Sequence, residues 1–573
     1  MPCRSKPGEL HQPECATLML RSSASDTDPD ILLLQNEKQH TQSDKFIDQA
    51  AGGSNMKRLV GSLMIASLAF WGVSPMATAK PPVRGPASPG TLSPPKTVES
   101  VTQGSVTVEG RKLEYTATAG TIVLEDARGR PTGSMFYIAY VKSGVKDASR
   151  RPVTFFYNGG PGSSSVWLHM GAFGPWRVVT SDHTHTPAAP YKIVNNEYSL
   201  LDVTDEVFID AMGTGYSRII GKDEGGVGEA KDFYGIDADV ASFAQFITRY
   251  LSKNDRWNSP KYVYGESYGT LRSAALVDYL QERNATDING IILQSTVLTH
   301  LTNRFWPNNE VPYEVFLPTY AATAWYHHRL PKQPATLEPF LQQVEQFALG
   351  DYAAALNAGN ALSADQFNSI AQKLHEYTGL STAFVEKANL RVTDQEFFHE
   401  LLADQDDTVG RLDSRFSGPS MDPLSQGALY DPQSAAISSA YAAAFNDYVH
   451  GTLKFGRDRV YLLEGNVRPW SLEHLDPLTR RPQDGFASVA VDLAQAMKRD
   501  PGLQVLAQNG YYDLATPYFG TVYIMNHLNI PRELRAHIHM EFYDSGHMIY
   551  AHAPALKKLH DTTATFITAT GTG

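Results

Sequence analysis

Apolar and polar residues follow two patterns in the main part of the chain. From Val106 to Val141 they alternate with the two-residue period of a strand, around turns at 109–110 and 127–133, which predicts opening antiparallel hairpins. Helical patterns at 237–251 and 271–283 follow. Short apolar runs between and beyond them predict parallel strands at Val153–Tyr157, Val207–Asp210, Lys261–Tyr264, Ile288–Leu293, Leu503–Gln508 and His537–Tyr543. Strands that alternate with helices predict an α/β fold with a mixed, mostly parallel central sheet.

The pattern changes between residues 298 and 484, where helical runs rich in Ala, Gln and Leu dominate. Such runs lie at Leu337–Leu349, Ser363–Tyr377 and Ser434–Tyr448. The sequence therefore predicts a core over 101–297 and 485–573 that is interrupted by a large helical insertion over 298–484. Candidate functional residues lie on both sides of the insertion. We therefore expect it to cover them as a cap that shapes a pocket and excludes water.

An export signal is indicated near the start of the chain. Met56-Lys57-Arg58 precedes an apolar stretch, Leu59–Val73, and Ala77-Thr78-Ala79 follows it. Basic, apolar and small-residue segments in this order predict a secretory signal peptide over 56–79. The apolar stretch is shorter than the ~20 residues of a typical membrane span. An uncleaved anchor is the alternative interpretation.

Export would give a mature chain that begins near Lys80, with a proline-rich lead-in over 80–100. We interpret the polar residues 1–55 as a non-native or disordered extension and Met56 as the true start. The prediction is an exported protein, periplasmic or secreted, without a stable membrane anchor after signal cleavage. Both cysteines, Cys3 and Cys15, lie in the extension, so the mature chain would fold equally well in any redox compartment.

The most informative motif is a serine between two glycines, Gly265-Glu-Ser267-Tyr-Gly269. It follows a predicted strand and precedes a predicted helix. This is the layout of a nucleophile elbow, in which a strained turn exposes a serine hydroxyl above a sheet. The motif occurs once in the chain. It predicts an α/β-hydrolase fold with Ser267 as the nucleophile.

In that fold an acid and then a histidine follow the serine along the chain. Asp513 follows the fifth of the predicted parallel strands, and His547 follows the sixth. The predicted triad is therefore Ser267, Asp513 and His547, in which the histidine takes the serine proton and the aspartate orients the imidazole. Asp544 is an alternative acid, although it lies very near His547 in the chain. Other histidines lie in or just beyond the sixth strand: His537, His539 and His552.

A tetrahedral intermediate would need two backbone N–H donors. The residue after the nucleophile, Tyr268, supplies one, and the glycine-rich run Asn158–Ser165 after a predicted strand is the candidate for the other. Loss of one such donor typically costs ~3 kcal/mol of transition-state stabilisation. A bare turn or a phosphate-binding loop is the alternative. A phosphate loop is disfavoured because no Lys-Ser/Thr follows the run and Pro161 has no N–H.

Five motifs occur in the order found in the serine carboxypeptidase family. They are Asn158–Ser165, Gly213–Ser217, Gly265–Gly269, the Asp513 loop and Gly546-His-Met548. On these residues the chain resembles a bacterial-type member of that family over roughly 153–550. The resemblance implies an α/β-hydrolase fold, a Ser-Asp-His triad and removal of C-terminal amino acids from peptides, favoured at acidic pH.

The resemblance also implies roles for individual residues. Gly160 and Tyr268 would supply the oxyanion N–H groups. Substrate binding would fall to Asn158, Gly159, Glu266 and Met548, with Asn158 and Glu266 on the terminal carboxylate and Met548 in the pocket for the leaving residue. A protonated Glu266 could donate a hydrogen bond to that carboxylate, and burial favours the protonated form. The alternative is that Glu266 only braces the elbow by bonding local backbone.

Three departures from the family pattern weaken the exopeptidase prediction more than the hydrolase prediction. Ser163 stands where many members have a cysteine in a disulfide. The stretch 167–174 lacks the glutamate that pairs with the elbow glutamate in some members. The run Ile209-Asp210-Ala211-Met212 also stands where the family often has an aspartate followed by a proline.

Composition and charge exclude other classes. The net charge of −12 and the pI near 5.8 argue against nucleic-acid binding. Two close histidine pairs, 183/185 and 327/328, come without further ligands at a recognised spacing, so we predict no metal site and no cofactor. The expected partner is a peptide with a free C-terminal carboxylate. An esterase, amidase or acyltransferase on the same scaffold, or a catalytically silent binding protein, are the alternatives.

Overall fold

The computed structural model describes residues 97–485 and 487–571. The predicted extension over 1–55, the signal peptide over 56–79 and the lead-in up to residue 96 lie outside the described residues.

Fourteen strands lie in the described part of the chain. They are β1 (Glu99–Val108), β2 (Arg111–Glu125), β3 (Pro131–Lys142), β4 (Val153–Tyr157), β5 (Trp176–Val178), β6 (Ile193–Asn195), β7 (Asp205–Ile209), β8 (Arg218–Ile219), β9 (Lys261–Glu266), β10 (Gly290–Gln294), β11 (Asp407–Val409), β12 (Ser417–Pro419), β13 (Gln504–Gly510) and β14 (Ile538–Tyr543). The six parallel strands expected from the sequence correspond to β4, β7, β9, β10, β13 and β14.

Twelve α-helices lie in the same residues. They are α1 (Ile236–Lys253), α2 (Tyr268–Asn284), α3 (Val311–Tyr326), α4 (Leu337–Phe347), α5 (Ala353–Ala358), α6 (Ala364–Thr378), α7 (Thr382–Lys387), α8 (Asp394–Glu400), α9 (Pro432–Gly451), α10 (Ala490–Arg499), α11 (Tyr518–Asn526) and α12 (Ala553–Thr570). None of the helices in this part of the chain is long and apolar enough to cross a membrane.

One sheet organises the core. Its strand order is β1-β2-β3-β7-β4-β9-β10-β13-β14, and β8 pairs with β3. The first three strands form antiparallel hairpins, and β3 is antiparallel to β7. From β7 to β14 all neighbours are parallel. The predicted α/β-hydrolase fold, with its mixed and mostly parallel sheet, is confirmed.

Helices cover both faces of this sheet. Alternate residues of a strand point to opposite faces, so neighbouring residues of one strand pack into different apolar clusters. Phe155 of β4 packs into an apolar cluster with residues of α1, α2 and α10. The next residue, Phe156, packs into a second cluster with residues of α9 and α12. The sequences of the parallel strands are therefore continuous apolar runs, as is typical of strands buried on both faces.

The helices α3 to α9 lie between β10 and β13 in the chain. A third apolar cluster joins α3, α4, α6, α7 and α8 to α11, with Phe316, Phe340 and Phe397 among its buried members. The loops that follow β9, β13 and β14 all lie at the carboxyl ends of the parallel strands, the edge where α/β sheets place their sites.

Candidate active site

Ser267 occupies the turn between β9 and α2. Its backbone has φ 61° and ψ −129°, a conformation that is strained for a residue with a Cβ. The flanking glycines allow the turn, because a Cβ on Gly265 would overlap Gly269, and one on Gly269 would lie 2.9 Å from the carbonyl oxygen of Tyr157. The Ser267 amide donates to the Gln294 carbonyl oxygen at 3.0 Å. The chain thus forms the strained strand-to-helix turn of a nucleophile elbow.

Asp513 and His547 are in direct contact. His547 Nδ1 lies 2.8 Å from Asp513 Oδ2. The amides of Ala515 and Thr516 donate to Asp513 Oδ1 at 2.8 and 2.9 Å. Burial disfavours the protonated imidazole, but the Asp513 carboxylate outweighs it and raises the pKa of His547 above its ordinary value. The alternative acid, Asp544, is exposed and makes no contact with His547 among the described hydrogen bonds and ion pairs.

Ser267 and His547 both line a cavity of about 710 Å³. No hydrogen bond joins the Ser267 hydroxyl to His547 within residues 97–485 and 487–571. Such contacts are often loose before a substrate binds. The other candidate histidines are not part of the cavity lining, namely His537, His539 and His552.

The glycine-rich loop rests on the elbow. A Cβ on Gly159 would overlap the backbone nitrogens of Tyr268 and Gly269, so glycine is required for this close approach. Arg272 of α2 donates to the Asn158 carbonyl oxygen at 2.9 Å. In the described residues, the amides of Gly160 and Tyr268 donate to no protein acceptor. Both residues line the cavity, and their N–H groups are available to an oxygen placed near Ser267.

Arg272 stabilises the contact between the glycine-rich loop and the elbow. It is fully buried, pairs with Asp239 of α1 at 2.7 Å, and its guanidinium stacks 4.2 Å from the centre of the Phe243 ring. A buried charge is tolerated when it is paired and hydrogen-bonded. Sequence reasoning missed Arg272, and its position one turn after the elbow on a buried helix face is the only signal that could have indicated it.

Glu266 forms a buried polar network beside the nucleophile. Its carboxylate accepts hydrogen bonds from Asn158 Nδ2 at 2.8 Å and from Gln294 Nε2 at 2.9 Å. Burial raises the pKa of Glu266 to about 7, against the lowering effect of the nearby His547. Its partners are side chains and not local backbone, which disfavours the alternative of a simple brace. Gln294, at the end of β10, was missed because a lone glutamine after an apolar run has no distinctive pattern.

The remaining predicted residues lie at the same cavity. Met548 is buried and lines it, as do Asn158 and Gly159. Ser163 has no disulfide; its hydroxyl donates to Glu464 Oε1 at 2.7 Å. Burial raises the pKa of Glu464, which also lines the cavity. Sequence reasoning did not single out Glu464, because it is far from the glycine-rich loop in the chain.

A segment of the insertion, residues 411–415, contacts both loops that hold the Asp–His pair. The Leu514 amide donates to the Arg411 carbonyl oxygen at 3.0 Å, and the His547 amide donates to that of Leu412 at 2.6 Å. Within the segment, Asp413 and Arg415 form a buried ion pair at 2.6 Å. We call residues 411–415 the brace segment. It was missed because nothing in its sequence distinguishes it from an ordinary loop.

Together these features define the class of protein. The strand order, the strained serine elbow and the contact between a later aspartate and a still later histidine are those of an α/β-hydrolase with a serine nucleophile. The serine carboxypeptidase family matches residues 114–550. This is more than half of the chain, and the chain belongs to that family.

Curated relatives match over shorter segments. Serine carboxypeptidase-like 36 of Arabidopsis thaliana is 26% identical over 176 residues, which cover 29% of this chain and 32% of that protein. The pheromone-processing carboxypeptidase KEX1 of Tuber melanosporum is 27% identical over 171 residues, which cover 29% of this chain and 24% of that protein. The chain thus spans about a quarter to a third of the length of these relatives, which come from a plant and a fungus.

A solved structure is also similar. KEX1ΔP, a prohormone-processing carboxypeptidase from Saccharomyces cerevisiae, matches with a TM-score of 0.49 and 15% identity, and the match covers 79% of this chain and 91% of that chain.

Proposed function

We propose that this protein is a serine carboxypeptidase that removes C-terminal amino acids from peptides. His547 takes the proton of Ser267 as the hydroxyl oxygen attacks the carbonyl carbon of the last peptide bond. The N–H groups of Gly160 and Tyr268 hold the oxyanion. The C–N bond then breaks, His547 protonates the departing amine, and an acyl-enzyme remains on Ser267. Water, deprotonated by His547, hydrolyses that ester and restores the serine.

The observation that supports this proposal best is the buried network of Asn158, Glu266 and Gln294 next to the elbow. A carboxyl group with a pKa of about 7 is largely protonated at mildly acidic pH, and a protonated Glu266 can donate to a substrate carboxylate while Asn158 donates a second hydrogen bond. An ester or an amide lacks the negative charge that this pair would recognise. The network therefore favours exopeptidase action, best at acidic pH, over ester cleavage or acyl transfer.

Release of an amino acid from a blocked dipeptide tests the proposal. The wild-type chain and Ser267→Ala are each incubated at mildly acidic pH with an N-blocked dipeptide and with its C-terminal amide, and the products are identified by mass spectrometry. We expect the free terminal amino acid, formed faster from the carboxylate and absent with Ser267→Ala. Cleavage of esters but of neither dipeptide would contradict the proposal and indicate an esterase.

The organisation of the chain belongs to the same proposal. The insertion over 298–484 would act as a cap over a core of 101–297 and 485–573. The signal over 56–79 would direct a bacterial-type enzyme to the periplasm or the medium. The mass of the exported form tests this second point, because cleavage after Ala79 predicts a chain that starts at Lys80. A chain that retains Met1 would contradict it.

A further inference from the structure

The cavity contains positive charge that the proposed chemistry does not use. Arg304 and Arg411, both from the insertion, line it together with Asp394 and Gln395. We call these four residues the arginine wall. They form a group distinct from the network at the elbow, and no ion pair joins the two groups in the described residues.

Neither guanidinium is paired with a side chain in the part of the chain that the structure describes. In residues 97–485 and 487–571, the side chains of Arg304 and Arg411 make no hydrogen bond and no ion pair, whereas the buried Arg272 and Arg415 each bind a carboxylate. Asp394 is the nearby acid. Burial raises the pKa of Asp394, and Arg411 and then Arg304 act in the opposite direction. A guanidinium stays charged at every physiological pH, so two cations face one acid on this wall.

The brace segment places Arg411 near the reacting groups. Arg411 directly precedes Leu412, whose carbonyl oxygen accepts the His547 amide at 2.6 Å. Arg304 lies in a stretch, His300–Trp306, of which His300, Asn303, Phe305 and Trp306 also line the cavity. A peptide whose terminal carboxylate lies at the Glu266 network has its scissile carbonyl over Ser267. Its penultimate residue then lies on the other side of the scissile bond from that network, within the same cavity that the arginine wall lines.

We propose that Arg304 and Arg411 select peptides with an acidic penultimate residue. This specificity rests on the proposed carboxypeptidase function. A guanidinium binds a carboxylate through two parallel N–H···O bonds, which a neutral amide of the same shape cannot match in strength. Neither arginine forms an ion pair with a described carboxylate that a substrate would have to displace, although the charge of Asp394 offsets part of the gain.

Blocked dipeptides that end in Phe and differ only in the penultimate residue test this. With the wild-type chain we expect kcat/KM for the Glu peptide to exceed that for the Gln peptide by roughly three- to tenfold, and to exceed that for the Lys peptide by more. The preference for Glu should weaken as salt is added. In Arg411→Gln, and further in Arg304→Gln/Arg411→Gln, the ratio of Glu to Gln should fall toward one.

Arg535→Gln is the charge-matched control. Arg535 is exposed, lies outside the cavity and makes no ion pair among the described residues, so its loss should leave both rates and their ratio unchanged. Equal kcat/KM for the Glu and Gln peptides with the wild-type chain would overturn the specificity while leaving the carboxypeptidase function intact. A ratio that survives in the double variant would also overturn it. Release of Phe from none of the peptides would instead overturn the proposed function itself.

Discussion

Single residues at this site make close contacts that a larger or differently charged side chain would disturb. Gly159 lies against the elbow backbone, and Glu266 keeps both carboxylate oxygens bonded to side chains in a buried position. Each of these residues affects a different step in the proposed reaction. Glu266 acts on binding of the terminal carboxylate, and Gly159 acts on the geometry of the oxyanion donors. Their substitutions should therefore have different kinetic effects.

Glu266→Gln should change how KM depends on pH. The folded pKa of Glu266 is about 7, so the wild-type residue is protonated below that pH and ionises above it. Ionisation places a negative charge beside the substrate carboxylate, and KM should rise as pH passes through about 7. A glutamine does not ionise and always offers an N–H donor. Initial rates at several substrate concentrations from pH 5 to 8 give KM as a function of pH. If the variant and the wild-type chain have the same pH profile of KM, Glu266 does not bind the carboxylate.

Gly159→Ala should lower kcat more than it changes KM. The added Cβ would overlap the Tyr268 and Gly269 nitrogens and lie 2.8 Å from the Glu266 carbonyl oxygen, which forces the oxyanion donors apart. Loss of one such donor lowers kcat by roughly 10²–10³-fold. Gly350→Ala is the matched control, because a Cβ there meets nothing within 4 Å. Steady-state kinetics of the two variants test this prediction. Equal kcat values for Gly159→Ala and Gly350→Ala would contradict it.

How much could be predicted differs between these residues. Ser267, Asp513 and His547 follow from a local motif and a fixed chain order, and the structure brings Asp513 and His547 into contact. Their roles as a triad remain predictions until the variants are assayed. Gln294 could not be predicted, because its importance comes from a neighbouring strand and not from any local pattern.

At the scale of elements, the brace segment connects the insertion to the two loops that hold Asp513 and His547. The Ser414 amide donates to the Tyr512 carbonyl oxygen at 2.9 Å, and Thr323 of α3 bonds the Ser414 hydroxyl at 2.6 Å. The Asp413–Arg415 pair stiffens the segment from inside. The insertion therefore positions these loops in addition to lining the cavity.

Arg415→Met should destabilise the protein and reduce kcat together. It leaves the buried Asp413 carboxylate unpaired, and breaking a buried ion pair in this way costs ~3–5 kcal/mol. Arg329→Met removes the exposed pair with Asp404, 27% and 58% exposed, which is worth under ~1 kcal/mol. Thermal unfolding and kcat of the two variants are compared. A similar unfolding midpoint for Arg415→Met and Arg329→Met would mean that the Asp413–Arg415 ion pair does not stabilise the brace segment.

The strands of the core were predictable, and several elements of the insertion were not. Continuous apolar runs such as Val153–Tyr157 gave strand bounds that match β4. By contrast, α3 is apolar on all sides and contains Pro318, so it shows neither helical periodicity nor a clear end. Its helical state depends on burial in the third apolar cluster, which only the tertiary structure supplies.

At the scale of the whole molecule, buried acids set the pH dependence of stability. Burial raises the pKa of Asp210 to about 6 and the pKa of Glu314 to about 7, as it does for Glu266. In the unfolded chain these carboxyl groups have a pKa of about 4. As the pH rises above that value, the unfolded chain therefore loses protons that the folded chain still keeps. Stability is therefore lost as pH rises from about 4 to about 7. Burial lowers the pKa of His169 to about 3 and also lowers the pKa values of His300 and His327. These histidines oppose the trend below pH ~6.5.

We expect the unfolding midpoint to be highest at mildly acidic pH and to fall toward pH 9. His474 adds to the fall, because Asp237 and Asp492 outweigh its burial and raise its pKa to about 10; its contribution is complete below about 6.5 and is lost as pH approaches 10. Glu314→Gln, outside the cavity, should flatten the curve between about pH 4 and 7. Calorimetry over pH 4–9 tests this, and a midpoint that rises steadily with pH would refute it.

The order of the functional groups along the chain has a consequence for protein synthesis. The elbow and the glycine-rich loop are translated early, the brace segment follows with the insertion, and His547 comes after the last strand of the sheet. A ribosome that stalls anywhere before β14 holds a serine without its base. The proposed peptidase therefore becomes active only after the segment that carries His547 has been translated, and a cell is not exposed to proteolysis by shorter nascent chains.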